Sequence, residues 1–236
     1  TKAAATEANV AIQGESGTGK ELVARAVHEH SSRSEGPFVA VNCGAIQESL
    51  FEREFFGHCK GAFTGAHTNS PGYLDLAAGG TLFLDEISEL TMNMQAKLLR
   101  AIEGGDYRPV GGSGSLSADL RIISASNNDL NTKVSQGSMR SDFYYRIQVI
   151  HIHVPPLRSR KEDIPLLVDH FLDQMTQQTG KVKIPGQIMD RLMEYDWPGN
   201  VRELRNVLQR YTALGHLEFL GPDSQIQSLL PAQSSL

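Results

Sequence analysis

The stretch that most narrows what this chain can fold into is Val10-Ala11-Ile12-Gln13-Gly14-Glu15-Ser16-Gly17-Thr18-Gly19-Lys20. A short apolar run breaks into three glycines and a lysine just before an amphipathic segment opens. It reads as strand, phosphate-cradling loop and helix N-terminus. Gly14, Gly17 and Gly19 let backbone N–H groups turn toward one centre, and the helix dipole adds partial positive charge there. Glu15, Ser16 and Thr18 complete the cradle, and Lys20 would reach the outer phosphates of a nucleotide. The pattern G-x-x-x-x-G-K-[ST] fails only at its last position, where Glu21 replaces the hydroxyl that usually touches magnesium. An ordinary strand-to-helix turn is the competing reading, so a second motif is needed.

The chain has 236 residues, enough for one large α/β domain and a small satellite. No apolar run approaches the roughly 20 residues of a membrane span, and nothing at the N-terminus reads as a signal peptide. Cys43 and Cys59 have no Cys or His cluster beside them, which argues against a zinc site or a disulfide framework and fits a reducing cytoplasm. A formal net charge of -5 gives no general electrostatic case for nucleic-acid binding.

Val23, Ala26, Val27 and His30 recur at helical spacing after Lys20. Phe38-Val39-Ala40-Val41 is apolar throughout, as in a parallel strand covered on both faces, and Asn42 stands at its carboxyl end, as a turn cap or as a group facing a ligand. A helix is expected from Ala45 to Phe56. Gly57 to Ala66 is too glycine-rich for a regular element. With Phe63 and Thr64 near its middle, it is either a contact surface or a loop that tucks Phe63 into the core.

Gly79-Gly80-Thr81-Leu82-Phe83-Leu84-Asp85-Glu86 supplies the second motif, a buried strand with two acids at its end. Asp85 can hold magnesium through water, and Glu86 can orient and deprotonate the water that attacks a γ-phosphate. A helix from Met92 to Ile102 and a second flexible insertion from Gly104 to Ser115 follow. Leu120 to Ala125 is another core strand, with Ser126 and Asn127 at its end, either near the same centre or capping the next helix. Arg140 and Arg146, six residues apart, do not share a helix face. They are either solvated surface residues or fingers reaching a neighbouring subunit's nucleotide. His151 and His153 alternate along a strand from Val149 to Val154 and read as structural.

Pro155-Pro156 and the charged run Arg158 to Asp163 mark a boundary, after which the pattern is helical only. Trp197-Pro198-Gly199 makes a turn, Asn200 and Glu203 form an expected capping pair, and Arg202 at that helix start could reach a nucleotide. The expected organisation is a nucleotide-binding subdomain over 1–156 with loop insertions near 57–70 and 104–117, a helical lid over 157–220, and a tail or linker over 221–236.

On Gly14 to Glu21, Gly61-Ala62-Phe63-Thr64-Gly65-Ala66, Gly80 to Glu86 and Trp197 to Leu204, the chain resembles the central AAA+ domain of sigma-54-dependent transcriptional activators, from about Val10 to about Leu220. The resemblance implies a parallel central sheet flanked by helices with a small all-α lid. It makes an acid at Glu21 the expected residue. It implies that Asn42 donates to Glu86 and holds it inactive, that Ser126 and Asn127 are sensor residues, that Arg140 and Arg146 act in trans, and that Arg202 couples lid to nucleotide. It also implies that Gly61 to Ala66 touches sigma-54, with the Tyr107 to Ser115 insertion supporting that loop.

The implied activity is ATP hydrolysis with Mg2+ by a hexameric or heptameric ring that remodels the sigma-54 RNA polymerase holoenzyme in the bacterial cytoplasm, with DNA contacted only through a helix-turn-helix domain outside this sequence and no membrane involvement. A nucleotide-switched binding module without turnover is the alternative. Cys59 stands where the family usually has Glu, which would weaken a link from hydrolysis to the loop. The sequence starts shortly before the first strand, without the segment expected to cover adenine, so reduced nucleotide affinity is expected for this stretch by itself, which reads as a fragment.

Overall fold

A computed structural model describes residues 2–175 and 184–214. The chain forms two compact units, one of Thr1–Glu15 with Lys20–Val154, the other of Ser16–Gly19 with Pro155 onward.

The first unit is built on five parallel strands: β1 (Val10–Gln13), β2 (Phe38–Asn42), β3 (Thr81–Asp85), β6 (Arg121–Ser126) and β7 (Ile150–His153), in the spatial order β2-β3-β6-β1-β7. A separate two-stranded ribbon pairs β4 (Asp106–Tyr107) with β5 (Leu116–Ser117). Parallel strands need crossovers, supplied here by α1 (Lys20–Glu29), α2 (Glu48–Phe56), α3 (Tyr73–Leu76), α4 (Met92–Gly104), α5 (Leu130–Ser135) and α6 (Ser141–Ile147). Helices on both faces leave β3 and β6 buried almost throughout, which is why they read as continuous apolar runs. Side-chain alternation divides them. Leu82 and Leu84 join Phe51, Phe55 and Leu98 in one apolar cluster, while Phe83 joins Val10, Ile12, Val27 and Ile123 in another. Each such fully buried side chain contributes about 1.5–3 kcal/mol.

Several expected boundaries shift. α2 starts at Glu48, because Cys43–Ala45 is taken up by a tight 3-10 turn. α4 runs on to Gly104 and stops where Gly105 adopts a left-handed φ of 67°. The buried face of α1 is Ala24, Val27 and His28, leaving Ala26 and His30 exposed. His28 can be buried because its Nδ1 is hydrogen-bonded to the Thr81 hydroxyl at 2.9 Å.

In the second unit, α7 (Ile164–Met175), α8 (Gly186–Glu194) and α9 (Asn200–Leu214) enclose Trp197, whose indole N–H donates to the Leu192 carbonyl at 2.8 Å. The expected tail at 221–236 lies outside the described residues, as do the last residues assigned to the lid.

Candidate nucleotide site

In the first unit, β3 delivers Asp85 half-buried at its carboxyl end. Burial pushes the Asp85 carboxyl above the usual carboxylate range, against the Glu86 backbone N–H, which donates to its Oδ1 at 3.0 Å, and against the nearby Lys20 ammonium. The next residue, Glu86, sits at φ 54°, ψ 42°. A left-handed backbone costs a residue with a Cβ roughly 1–2 kcal/mol. The strain is held by the 3-10 turn Ile87–Glu89, in which the Glu89 N–H donates to the Glu86 carbonyl and Ile87 is fully buried. Against the Glu86 carboxylate lies Gly44, where a Cβ would stand 2.6 Å from Oε2 and 3.3 Å from Asn42 Oδ1. A Cβ there would push the Glu86 carboxylate out of this pose, a constraint that the sequence signalled no more strongly than a turn after Asn42.

Asn42 accepts the Gly44 N–H on Oδ1 at 2.8 Å and caps the turn. The Asn42-to-Glu86 hydrogen bond implied by resemblance is not formed in this conformation; the two side chains meet through Gly44 instead.

Lys20 opens α1, and its Nζ donates to the Gly14 and Glu15 carbonyls at 2.8 and 3.1 Å. These are acceptors that a phosphate oxygen could replace. The Gly14 N–H donates to the Ser126 carbonyl at 3.1 Å, tying the start of the cradle to the end of β6. The Ser126 hydroxyl is buried and engaged with the Asn128 backbone on both sides, while Asn127 is exposed. The α5 cap is Asp129, not Asn127. Glu21 pairs with Arg25 at 2.8 Å, one turn along α1. Among the described residues no three His, Cys, Asp or Glu side chains converge on one point. A divalent cation at Asp85 would therefore take most of its oxygens from water and phosphate, which suits magnesium.

In the second unit, Ser16–Gly19 carries positive φ at Gly17 (79°) and Gly19 (99°). A Cβ on Gly17 would lie 2.4 Å from the Gly199 carbonyl. The Arg202 N–H donates to the Gly17 carbonyl and its Nη1 to the Ser16 hydroxyl, both at 3.3 Å, and Arg160 donates to the Thr18 carbonyl at 2.9 Å. The expected Asn200–Glu203 capping pair is corrected. Glu203 accepts from the Gly199 N–H, whereas Asn200, itself at φ 54°, accepts the Leu157 N–H and donates to the Ser16 carbonyl.

The two candidate finger arginines flank α6. Arg140 is its N-cap and forms a two-bond pair with Asp142 at 2.7 and 3.0 Å, which raises the guanidinium pKa and holds the Asp142 carboxyl below its usual range. Arg146, exposed in the last turn, donates to the Ile102 carbonyl at 2.7 Å. Asp142 was not singled out in the sequence, although an acid two residues beyond an arginine was the available signal.

The Gly57–Ser70 insertion is pinned at its base. His58 and Ser70 exchange backbone hydrogen bonds at 2.9 Å, and Val110 of the second insertion bonds to both Gly57 and Cys59. At the tip, Phe63 is 38% exposed and rests between the His58 ring at 5.0 Å and the Arg53 guanidinium at 5.7 Å, neither in the core nor free.

The family description "Sigma-54 interaction domain" matches residues 1–153. The chain belongs to that family. A second description, "AAA+ ATPase lid domain", matches residues 158–235, so this is the AAA+ domain of a sigma-54-dependent transcriptional activator. Among the family's curated members, the DNA-binding transcriptional regulator NtrC of Azospirillum brasilense is 52% identical over 92% of this chain and 46% of its own length. The response regulator PilR of Pseudomonas aeruginosa is 51% identical over 96% of this chain and 50% of its own. The chain thus spans about half the length of the curated relatives it matches. Crystal structures of NtrX from Brucella abortus in complex with ADP and with ATP both superpose with a TM-score of 0.83, at 38% and 37% identity, over 94% and 95% of this chain and 49% and 48% of theirs. Among the described residues, no helix is long and apolar enough to cross a membrane.

Proposed function

We propose that this chain hydrolyses ATP in a ring of its own copies and uses the Gly61–Ala66 loop to remodel the sigma-54 RNA polymerase holoenzyme, converting a closed promoter complex to an open one in the bacterial cytoplasm. The observation that carries the reading is the strained Glu86 beside Asp85, with Lys20 close enough to bias the Asp85 charge. NtrX, a similar protein, is known in complex with ADP and ATP, which supports nucleotide as the ligand.

Lys20 leaves the loop carbonyls for phosphate oxygens. Asp85 would hold Mg2+ through water, and the ion would supply neutralisation of phosphate charge. Glu86 takes the proton of the attacking water, its left-handed backbone fixing the carboxylate against Gly44. Asn42, sharing Gly44 with Glu86, and Ser126 with Asn127 at the end of β6, register the terminal phosphate. Arg140 and Arg146 project to a neighbouring copy and stabilise the transferring group. Arg202 reports nucleotide state to the lid. We take residues 1–156 and 157–220 as the working domain limits, and DNA contact as the task of a domain outside this sequence.

The test is ATP hydrolysis as a function of protein concentration, with sigma-54 capture in the presence of an ATP transition-state analogue. The expected result is specific activity that rises steeply with concentration and capture that needs the analogue. Nucleotide-dependent capture with no phosphate release at any concentration would favour a switch without turnover.

A further inference from the structure

Gln95 lies on the apolar face of α4 with Met94, Leu98 and Leu99, and is 0% exposed. A buried amide needs its partners, and this one has them. Nε2 donates to the Leu90 carbonyl at 2.8 Å and to the Ser138 carbonyl at 3.1 Å, while Oε1 accepts the Arg140 N–H at 2.9 Å. Two carbonyls on one side and one N–H on the other allow only this orientation of the amide. Leu90 ends the turn that follows Glu86, whereas Ser138 and Arg140 belong to the segment leading into α6.

As the N-cap of α6, Arg140 has no helical acceptor for its own N–H. Its guanidinium bonds to Asp142, a neighbour that moves with it. Met139 just before it is buried and donates its N–H to the Lys133 carbonyl at 3.1 Å, but the bond on the Arg140 N–H itself comes from the Gln95 amide.

We infer that Gln95 is the positioning residue for Arg140, tying its backbone to the turn behind Glu86 so that the water-activating group and the exported arginine of one subunit share an anchor. This rests on reading Arg140 as a finger that serves the neighbouring copy. Gln95 touches no reacting atom. Its loss therefore degrades hydrolysis in the next subunit and leaves the subunit's own nucleotide binding intact. A misplacement of about 1 Å costs on the order of a hundredfold in rate, while complete loss of a finger costs on the order of a thousandfold or more.

The test uses the 236-residue chain. Gln95→Met keeps the side chain's length but removes all three hydrogen bonds. The expected result is a folded protein with parental nucleotide affinity and hydrolysis lowered roughly a hundredfold. Glu86→Gln subunits, inactive alone but with an intact Arg140, are then mixed in. Hydrolysis should recover, because each Gln95→Met site next to a Glu86→Gln subunit again receives a well-placed finger. Arg140→Ala with Glu86→Gln is the parallel mixture.

Recovery with Arg140→Ala but not with Gln95→Met overturns the role given to Gln95. No recovery with Arg140→Ala overturns the trans-finger reading itself, whatever Gln95→Met does. Gln95→Glu covers the case in which Gln95→Met fails to fold. A protonated carboxyl can still accept the Arg140 N–H and donate to one carbonyl, so activity relative to the parent should climb as pH is lowered, and a flat ratio counts against the proposal.

Discussion

The rim around Glu86 and the tip around Phe63 are both glycine-bearing turns of the first unit, yet they are built in opposite ways. At the rim, the space beside Gly44 is filled by the Glu86 carboxylate and the Asn42 amide oxygen, and a strained backbone is locked by a fully buried Ile87. At the tip, Gly61 and Gly65 have positive φ with nothing within 4 Å of where a Cβ would be. Between them, Gly57 and Gly72 are packed backbone to backbone, with a Cβ on either meeting atoms at 2.4–2.5 Å. Fixed chemistry, a stapled base and an open tip are what a device needs if a small change at the rim is to move one aromatic side chain without unfolding what joins them.

The largest effect expected from breaking the rim is Glu86→Gln. Phosphate release should fall on the order of a thousandfold, while the melting temperature and Phe63 loop geometry stay parental. A parental rate would remove Glu86 from the chemistry.

Next comes the contrast between base and tip. Gly57→Ala must place a Cβ 2.5 Å from the Ser70 carbonyl at a φ of +73°, which should cost about 3 kcal/mol. Gly61→Ala, at φ +83° but in open space, should cost about 1 kcal/mol. Denaturant titrations check both, and equal losses would erase the distinction.

A smaller effect is a gain. Because burial raises the Asp85 pKa, the folded chain holds that proton more tightly than the unfolded one, so stability falls as pH rises from the ordinary carboxylate value through the raised folded one. Asp85→Asn should therefore melt higher than the parent at neutral pH without nucleotide. The gain should vanish once pH is low enough to protonate Asp85 in both states.

The smallest is Arg53→Met, which removes the guanidinium from the Phe63 ring. Tryptic cleavage after exposed Lys60 should speed up about two- to fivefold, the equivalent of an exposed cation–π contact.

Much of the frame was legible in the sequence because parallel strands covered on both faces must be apolar. Leu82–Leu84 and Leu120–Ala125 announced such strands; Phe38–Val41 also forms a strand, but at the sheet edge, where Ala40 is exposed and only Val41 is buried, so its expected cover on both faces is not met. The site motifs were legible because glycines, a lysine and paired acids at strand ends are few enough to stand out. What escaped were contacts set by tertiary structure. No spacing rule places Gly44 against Glu86, or tells that Glu203 caps Gly199 and not Asn200. Nor does helical periodicity reveal that Gln95, a polar residue on an apolar face, reaches across to Arg140. The buried face of α1 lies a fraction of a turn from the one its spacing suggests, since His28 finds partners on other segments, the Thr81 hydroxyl and the Gly36 backbone.

The most direct test of the account is amide hydrogen exchange of the chain with ADP and with a non-hydrolysable ATP analogue. The tip amides of Gly61 and Ala66 bond to the Ala66 and Phe63 carbonyls, while the base amides of His58 and Ser70 bond to each other's residue. The account predicts that the analogue speeds exchange at Gly61 and Ala66 and leaves His58 and Ser70 protected. Identical exchange at the tip with both nucleotides would contradict it.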